Sequence, residues 1–302
     1  MVDMNALLAL QGQLFLLMAL GAFFSRRGIL DGGFQKGLTD LVIDLVLPCS
    51  IITSFEVELT SELLQQSIQV AVSSLVIQVG CWLLAHAAFR RCAAGRQPVL
   101  QYAVICSNAG FLGTPVAQGL FGAPGVVLAS IYLIPQRVAM WTLGVAFFEK
   151  SSGRDVWKRV FTHPCIVAVF LGAVLMFTGL RLPGVVDNTI RAVGDCNTGL
   201  SMFLVGMLMS RLHWRDFLDP TVLYYSLIRL VVIPLAVFAG CRLAGLDGLP
   251  AAVSVVLAAM PAGATTAILA SRYECDSAFA ASCVTVSTVF SLVAIPVWCT
   301  FF

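Results

Sequence analysis

Ten stretches of apolar residues, each about as long as a helix needs to cross a lipid bilayer, follow one another along 302 residues with short gaps between them. They lie at 6–24, 37–55, 64–89, 99–121, 125–148, 162–180, 185–209, 221–241, 250–270 and 278–301. Crossing a hydrocarbon core of ~30 Å takes ~20 helical residues, and within lipid every backbone polar group has to be satisfied inside its own segment. Runs of this length separated by short connections therefore predict an all-α integral membrane protein with ten transmembrane helices. The composition agrees, with 59% hydrophobic and only 11% charged residues, and leaves no stretch that could build a large soluble domain.

The charges sort by connection. Arg26, Arg27 and Lys36, then Arg90, Arg91 and Arg96, then Lys150, Arg154, Lys158 and Arg159, then Arg211 and Arg215, then Arg272 all fall in alternate gaps. Basic residues mark cytoplasmic loops, so both termini are expected outside a multi-pass protein of the cell (cytoplasmic, inner) membrane. The opposite gaps hold Glu56, Glu58 and Glu62 with no lysine or arginine, the bare Gly122–Gly125 turn, and the isolated Arg181, Arg191 and Arg242. Spread between apolar runs, the basic residues form no patch for nucleic acid. No basic stretch precedes the first run and Arg26 and Arg27 follow it, so that run reads as a span and not a cleaved leader. The ten cysteines are scattered without any Cys-x-x-Cys pair, which argues against a disulfide framework or zinc site, and no cofactor is called for.

Two runs of the ten are interrupted, and they are the fourth of each five. The fourth carries Ser107-Asn108-Ala109-Gly110-Phe111-Leu112-Gly113-Thr114-Pro115; the ninth carries Met260-Pro261-Ala262-Gly263-Ala264-Thr265-Thr266. Proline removes a ladder hydrogen bond and glycine tolerates open backbone angles, so both should unwind near the bilayer centre. Unwound backbone at that depth persists only where protein buries it or where it lines a wet cavity. Thr114 is placed to cap the second half of the fourth run, with Pro115 at its first position, and Thr265 or Thr266 could do the same in the ninth. The resulting half-helix ends would favour an anion.

Asp44, Arg137, Asp195 and Arg229 also fall near mid-span, where a charge needs a partner, a cavity or water. Either an aspartate binds a coupling proton or sodium ion and an arginine meets a substrate carboxylate, or Asp–Arg pairs hold helices together. Asp44 and Asp195 lie 151 positions apart, as do Gln78 and Arg229, which fits an internal repeat. Five helices per half would make the halves inverted: 1–148 and 162–302, joined by the short basic connection 149–161.

In Asn108-Ala-Gly-Phe-Leu-Gly-Thr-Pro115, Gly194-Asp195 through Ser201-Met-Phe-Leu-Val-Gly206, Ala259-Met-Pro261, Leu47-Pro48 and Trp141-Thr-Leu-Gly144, the chain resembles the auxin efflux carrier family. That family includes the plant PIN-formed carriers and bacterial permeases for small organic acids. The resemblance covers nearly the whole chain. It implies a PIN-like, bile-acid symporter-like fold of two inverted five-helix repeats, in which runs 1, 2, 6 and 7 form a scaffold and runs 3–5 and 8–10 a mobile transport domain. The broken runs 4 and 9 would cross, with Asn108 and Pro115 on one side and Pro261 on the other. The implied activity is secondary transport, not catalysis, of a small organic anion, a mono- or dicarboxylate or an auxin-like acid. H⁺ or Na⁺ is a possible coupling ion, and a homodimer could form through the scaffold. The substrate-binding candidates are Asn108, Gly110, Gly113, Thr114, Pro115, Pro261, Gly263, Thr265, Thr266 and Arg137; the ion-coupling candidates are Asp44, Asp195 and Arg229. A channel or receptor on the same helices is a competing reading. An intramembrane aspartyl protease is another, but Val193-Gly194-Asp195 supplies only part of its Gly-x-Gly-Asp pattern.

Overall fold

The computed structural model describes residues 4–30, 32–56, 60–93, 95–148, 162, 164–210 and 217–302. The basic connection at 149–161 and the basic residues Arg211 and Arg215 lie outside them. The chain opens with α1 (Met4–Arg26) and α2 (Gly32–Leu41), which widens into a π turn at Val42–Val46 and continues as α3 (Leu47–Ser54). Then comes α4 (Ser61–Ala88), whose first turn is capped by the Thr60 hydroxyl accepting from the Leu63 amide at 3.0 Å. Next are α5 (Gln97–Ile105), a π turn at Ala109–Gly113 and α6 (Thr114–Ala139). Gly122 (φ +65°, ψ −155°) breaks α6 where the sequence separates its fourth and fifth runs. After α7 (Pro164–Thr178) come α8 (Gly184–Asp195) and α9 (Asn197–Met209). They are followed by α10 (Pro220–Leu227), a π turn at Ile228–Val232 and α11 (Ile233–Leu243). The chain ends with α12 (Gly248–Ala258), α13 (Thr265–Arg272) and α14 (Ser277–Cys299).

Among the described residues, five helical segments are long and apolar enough to cross a membrane: 33–54, 61–88, 109–144, 220–243 and 277–299. Of the remaining runs, the first folds as the unbroken α1, and others come in shorter helical pieces, 164–178 and 248–258 among them. Runs four, seven and nine are divided, the seventh at Cys196 between α8 and α9 and the others at their breaks.

Each of the π turns at 42–46, 109–113 and 228–232 is followed, two residues on, by a proline: Pro48, Pro115 and Pro234. Proline offers no amide to the carbonyl four residues back and its ring presses on that carbonyl, so the helix widens ahead of it. The residue before each proline donates instead to a carbonyl five residues back: Leu47 to Val42, Thr114 to Ala109, Ile233 to Ile228. The Leu230 carbonyl, which an amide at position 234 would have reached, takes the Trp298 indole N–H at 2.8 Å.

Two groups of helices pack around this chain path. In the first, α1 lies against α9, and α3 sits between α7 and α8. Gly21 rests on the Phe203 backbone and Gly206 on the Met18 backbone, so any β-carbon there would collide. Small residues let membrane helices approach to backbone contact, which stands in for the hydrophobic drive absent in lipid. Gly194 does the same for α8 against the Ser50 backbone of α3. In the second group, α4 packs on α5, α6 and α12, α10 on α14, and α13 on α14. The groups touch where α9 meets the 109–113 turn and where α3 meets α6. Large apolar side chains face outward, among them Leu75, Val76 and Leu83 of α4, Phe170 and Phe177 of α7 and Val293 of α14. Such a surface is a liability in water and the required one in lipid.

One polar cluster ties helix starts together. Arg96, just before α5, pairs with Asp219 at 3.0 Å and Asp276 at 3.3 Å and lies over the Phe279 ring. Asp219 caps α10 by accepting from the Thr221 amide, and Asp276 caps α14 by accepting from the Phe279 amide. Three connections that the charge pattern places on one side of the membrane thus meet at one end of the molecule.

Candidate functional site

The two interrupted segments meet at their breaks. Between α5 and the 109–113 turn, residues 106–108 leave the helical path; between α12 and α13, residues 259–264 do the same. Ser107 and Ala262 face each other as an antiparallel bridge, in which the Asn108 amide donates to the Pro261 carbonyl at 2.7 Å and the Gly263 amide donates to the Cys106 carbonyl at 2.8 Å. Pro261, which has no amide to give, takes part through its carbonyl. Gly263 is required by proximity: a β-carbon there would lie 2.8 Å from Cys106 Sγ and 3.1 Å from the Cys106 carbonyl oxygen. Gly113 is similarly confined, since a β-carbon there would lie 2.7 Å from a Leu257 methyl, whereas one at Gly110 would meet open space.

A helix that stops inside a protein leaves carbonyls without partners, and each one left unpaired is costly. Here they are accounted for largely by side chains from other helices. Arg229, in the π turn between α10 and α11 and 2% exposed, donates through Nε to the Met260 carbonyl at 2.8 Å. Its Nη1 donates to Val104 at 3.0 Å and its Nη2 to Ala258 at 3.0 Å. One guanidinium therefore closes the C-terminal ends of both α5 and α12. The Tyr225 hydroxyl donates to the Ala103 carbonyl at 3.0 Å, and Ser287 Oγ of α14 accepts from the Ala262 amide at 3.1 Å. Gln136 of α6 grips Ser107 twice: its Nε2 donates to the Ser107 carbonyl at 2.9 Å, and its Oε1 accepts from Ser107 Oγ at 3.0 Å.

Beside the bridge is a cavity of about 80 Å³. Asn108, Gly110, Gly263 and Thr265 line it from the breaks, Gln136 and Arg137 from α6, and Ile43, Leu47 and Cys165 from the first helix group. The Thr265 hydroxyl accepts from the Tyr102 hydroxyl at 3.2 Å and lies 3.0 Å from Cys106 Sγ. Arg137 is 7% exposed, and its Nη1 is fully buried with no hydrogen-bond partner. No aspartate or glutamate is among the lining residues.

Of the residues singled out in the sequence, Asn108, Gly110, Gly263, Thr265 and Arg137 share this cavity. Gly113, Thr114, Pro115, Pro261 and Thr266 stand behind it as parts of the two breaks. Thr114 does not cap a half-helix. Winding resumes at Ala109 and not at Thr114, and the Thr114 hydroxyl donates to the Ala109 carbonyl at 3.3 Å instead of accepting an amide. Of the two readings of the mid-span charges, Asp–Arg pairing does not form: among the described residues neither Arg137 nor Arg229 has an acidic partner. Arg229 is wholly engaged with backbone, and Asp44 and Asp195 are exposed on the chain's surface. Their chain neighbours Leu45, Val46 and Cys196 line a separate, shallow groove between α8 and the 42–46 turn. The bonding roles of Gln136, Tyr225 and Ser287 were not legible beforehand, since nothing near them in sequence marks their partners.

The sequence profile described as membrane transport protein matches residues 11–299. An uncharacterized transporter of Methanothermobacter thermautotrophicus is 27% identical over 288 residues, covering 93% of this chain and 94% of the relative. The uncharacterized transporter YfdV of Escherichia coli K12 is 24% identical over 306 residues, covering 94% of each. Auxin efflux carrier component 2 of Oryza sativa subsp. japonica is 25% identical over 125 residues, which is 40% of this chain and 20% of that protein.

Proposed function

The chain belongs to the membrane transport protein family, to which the auxin efflux carriers also belong, and from that premise we propose that it is a secondary transporter carrying a small organic anion through the place where its two breaks meet. The ten apolar runs act as two inverted repeats of five. The second helix group moves against the first and opens the cavity to one side of the membrane and then the other.

The observation that carries this reading is the pairing of residues 106–108 with 261–263 beside a cavity free of acidic side chains. Arg229 covers the negative, C-terminal ends of α5 and α12. What the breaks present to the cavity is the other polarity: the start of winding at Ala109, next to Asn108, and the start of α13 at Thr265. A helix start favours a negative group by ~0.3–1 kcal/mol, and by up to ~2 when partly buried. Two such starts around one hollow select an anion over a cation. Asn108, 3% exposed, supplies a polar side chain at the wall.

The test is solute flux in proteoliposomes across a panel of carboxylates, with imposed pH and sodium gradients. Asn108→Ala should abolish flux while the protein still purifies as a monodisperse species. Undiminished flux in that variant removes the site from this place. Currents far above carrier turnover would indicate a channel on the same helices.

A further inference from the structure

Resting on the carrier reading above, we propose that Arg137 is the group that reads the substrate's charge, and that the substrate is a short monocarboxylate whose one carboxylate docks on the Arg137 guanidinium. The two mid-span arginines differ in how their guanidinium groups are bonded. Arg229 has Nε, Nη1 and Nη2 each on a carbonyl oxygen. Arg137, just as deeply placed, keeps Nη1 buried and unpartnered at the wall of the cavity. A buried cation without partners is strongly unfavourable, and a carboxylate arriving in the cavity removes that penalty. The neighbouring Gln136, held on both sides by Ser107, fixes the turn of α6 that carries Arg137. Leu133 and Met140, four residues before and three after, share its face of the helix and flank it in the cavity.

Size and lining set the class. The cavity of about 80 Å³ is roughly half the ~150 Å³ of an apolar cavity that accepts benzene, which favours a small occupant. No lysine, histidine or second arginine lines it, so a second carboxylate would be buried without a counter-charge. Ile43, Leu47, Phe111 and Leu133 give an apolar floor suited to a short alkyl chain.

The test has a binding arm and a flux arm. Purified protein in nanodiscs is titrated with acetate, propionate, butyrate and succinate while its thermal unfolding midpoint is followed, and counterflow of labelled acetate is measured in proteoliposomes. Wild type should be stabilised by acetate or propionate and not by succinate. Arg137→Gln should need about tenfold more acetate or worse, as expected for a lost charge-assisted bond, and Arg137→Lys should fall between. Equal acetate titrations in wild type and Arg137→Gln overturn the assignment, as does a wild type that no monocarboxylate stabilises. Succinate stabilising more strongly than acetate overturns the substrate class. Acetate binding that depends on Arg137 without any flux supports the assignment and defeats the carrier reading, so the two fail separately. Should Arg137→Gln not yield folded protein, Phe111→Ala provides a second test: it enlarges the cavity and should shift preference from acetate toward butyrate, and an unchanged preference overturns the proposal.

Discussion

Replacing Arg229 by methionine keeps the length and apolar bulk of the side chain and removes every donor it brings to the breaks. Three buried carbonyls, of Val104, Ala258 and Met260, then lose their partners. An orphaned buried polar group costs ~1–3 kcal/mol, so the three together cost about 3–9 kcal/mol, the lower end applying if water enters the break. Set against a total folding stability of ~5–15 kcal/mol, even the lower figure is severe. At ~2–4 °C per kcal/mol for a chain of this order of size, it lowers the unfolding midpoint by about 6–12 °C. The assay is a heating series in detergent read by size-exclusion fluorescence, together with hydrogen exchange at Asn108 and Gly263, whose amides form the pair between the breaks. Arg229→Lys, with a compact ammonium that cannot span three oxygens in a plane, should lie between methionine and wild type. An Arg229→Met variant with the wild-type midpoint and unchanged exchange would refute the idea that this guanidinium holds the broken ends. It would also restore Arg229 as a candidate for ion coupling.

Gly263→Ala should press on Cys106, since the added carbon would lie 2.8 Å from its sulfur; faster labelling of Cys106 by thiol reagents together with reduced flux is the expected pair of results. Gly206→Ala drives a methyl group into the Met18 backbone and should cost ~1–3 kcal/mol of thermal stability, whereas Gly12→Ala, inside α1 with nothing within 4 Å, should not lower the midpoint and should raise it slightly. The Asp219 carboxyl is held below its ordinary value: partial burial pushes it up, but the Thr221 amide and the Arg96 charge outweigh that. A depressed carboxylate contributes stability above its unfolded value near ~3.9 and loses it as pH falls through the lower folded value. The midpoint difference between wild type and Asp219→Asn, which keeps a capping side chain, should therefore be constant from neutral pH to about 5 and close only below about 4.

Much of this arrangement was legible in the chain because it rests on local rules. Apolar length and the gaps between runs located the helices to within a few residues, and Pro115, Pro261 and their glycines located the breaks. What proline does to the turn ahead of it was less visible. The widening at 109–113 moves the start of winding from Thr114 back to Ala109, and that shift depends on which carbonyls find donors elsewhere. Partners lying far apart in sequence were out of reach altogether. Arg229 meets Val104 across 125 positions and Ser74 of α4 donates to the Tyr132 carbonyl across 58, and no periodicity encodes such pairs. The same holds for Asp44 and Asp195: mid-span by sequence, both are exposed, and on the segment that carries Asp44 it is Ile43 and Leu47 that line the cavity.

The contrast between the two arginines is also a statement about how a broken membrane helix can be both stable and usable. Unwound backbone at the bilayer centre has to be satisfied by protein, and Arg229, Gln136, Tyr225 and Ser287 meet backbone groups of both breaks without any ligand. Were Arg137 bonded in the same way, the cavity would be electrically complete and an anion would gain little by entering. On the proposed reading a negative guest would complete the site's polar bonding, and the free energy released there would favour one arrangement of the two helix groups over another. Fixed donors on the backbone and a free one toward the cavity are therefore complementary requirements. Exchanging the roles, by satisfying Arg137 with an introduced acid such as Leu133→Glu, should give a well-folded protein that no longer responds to carboxylates; a variant that still binds acetate as wild type does would show that the unpaired guanidinium is not what draws the anion in.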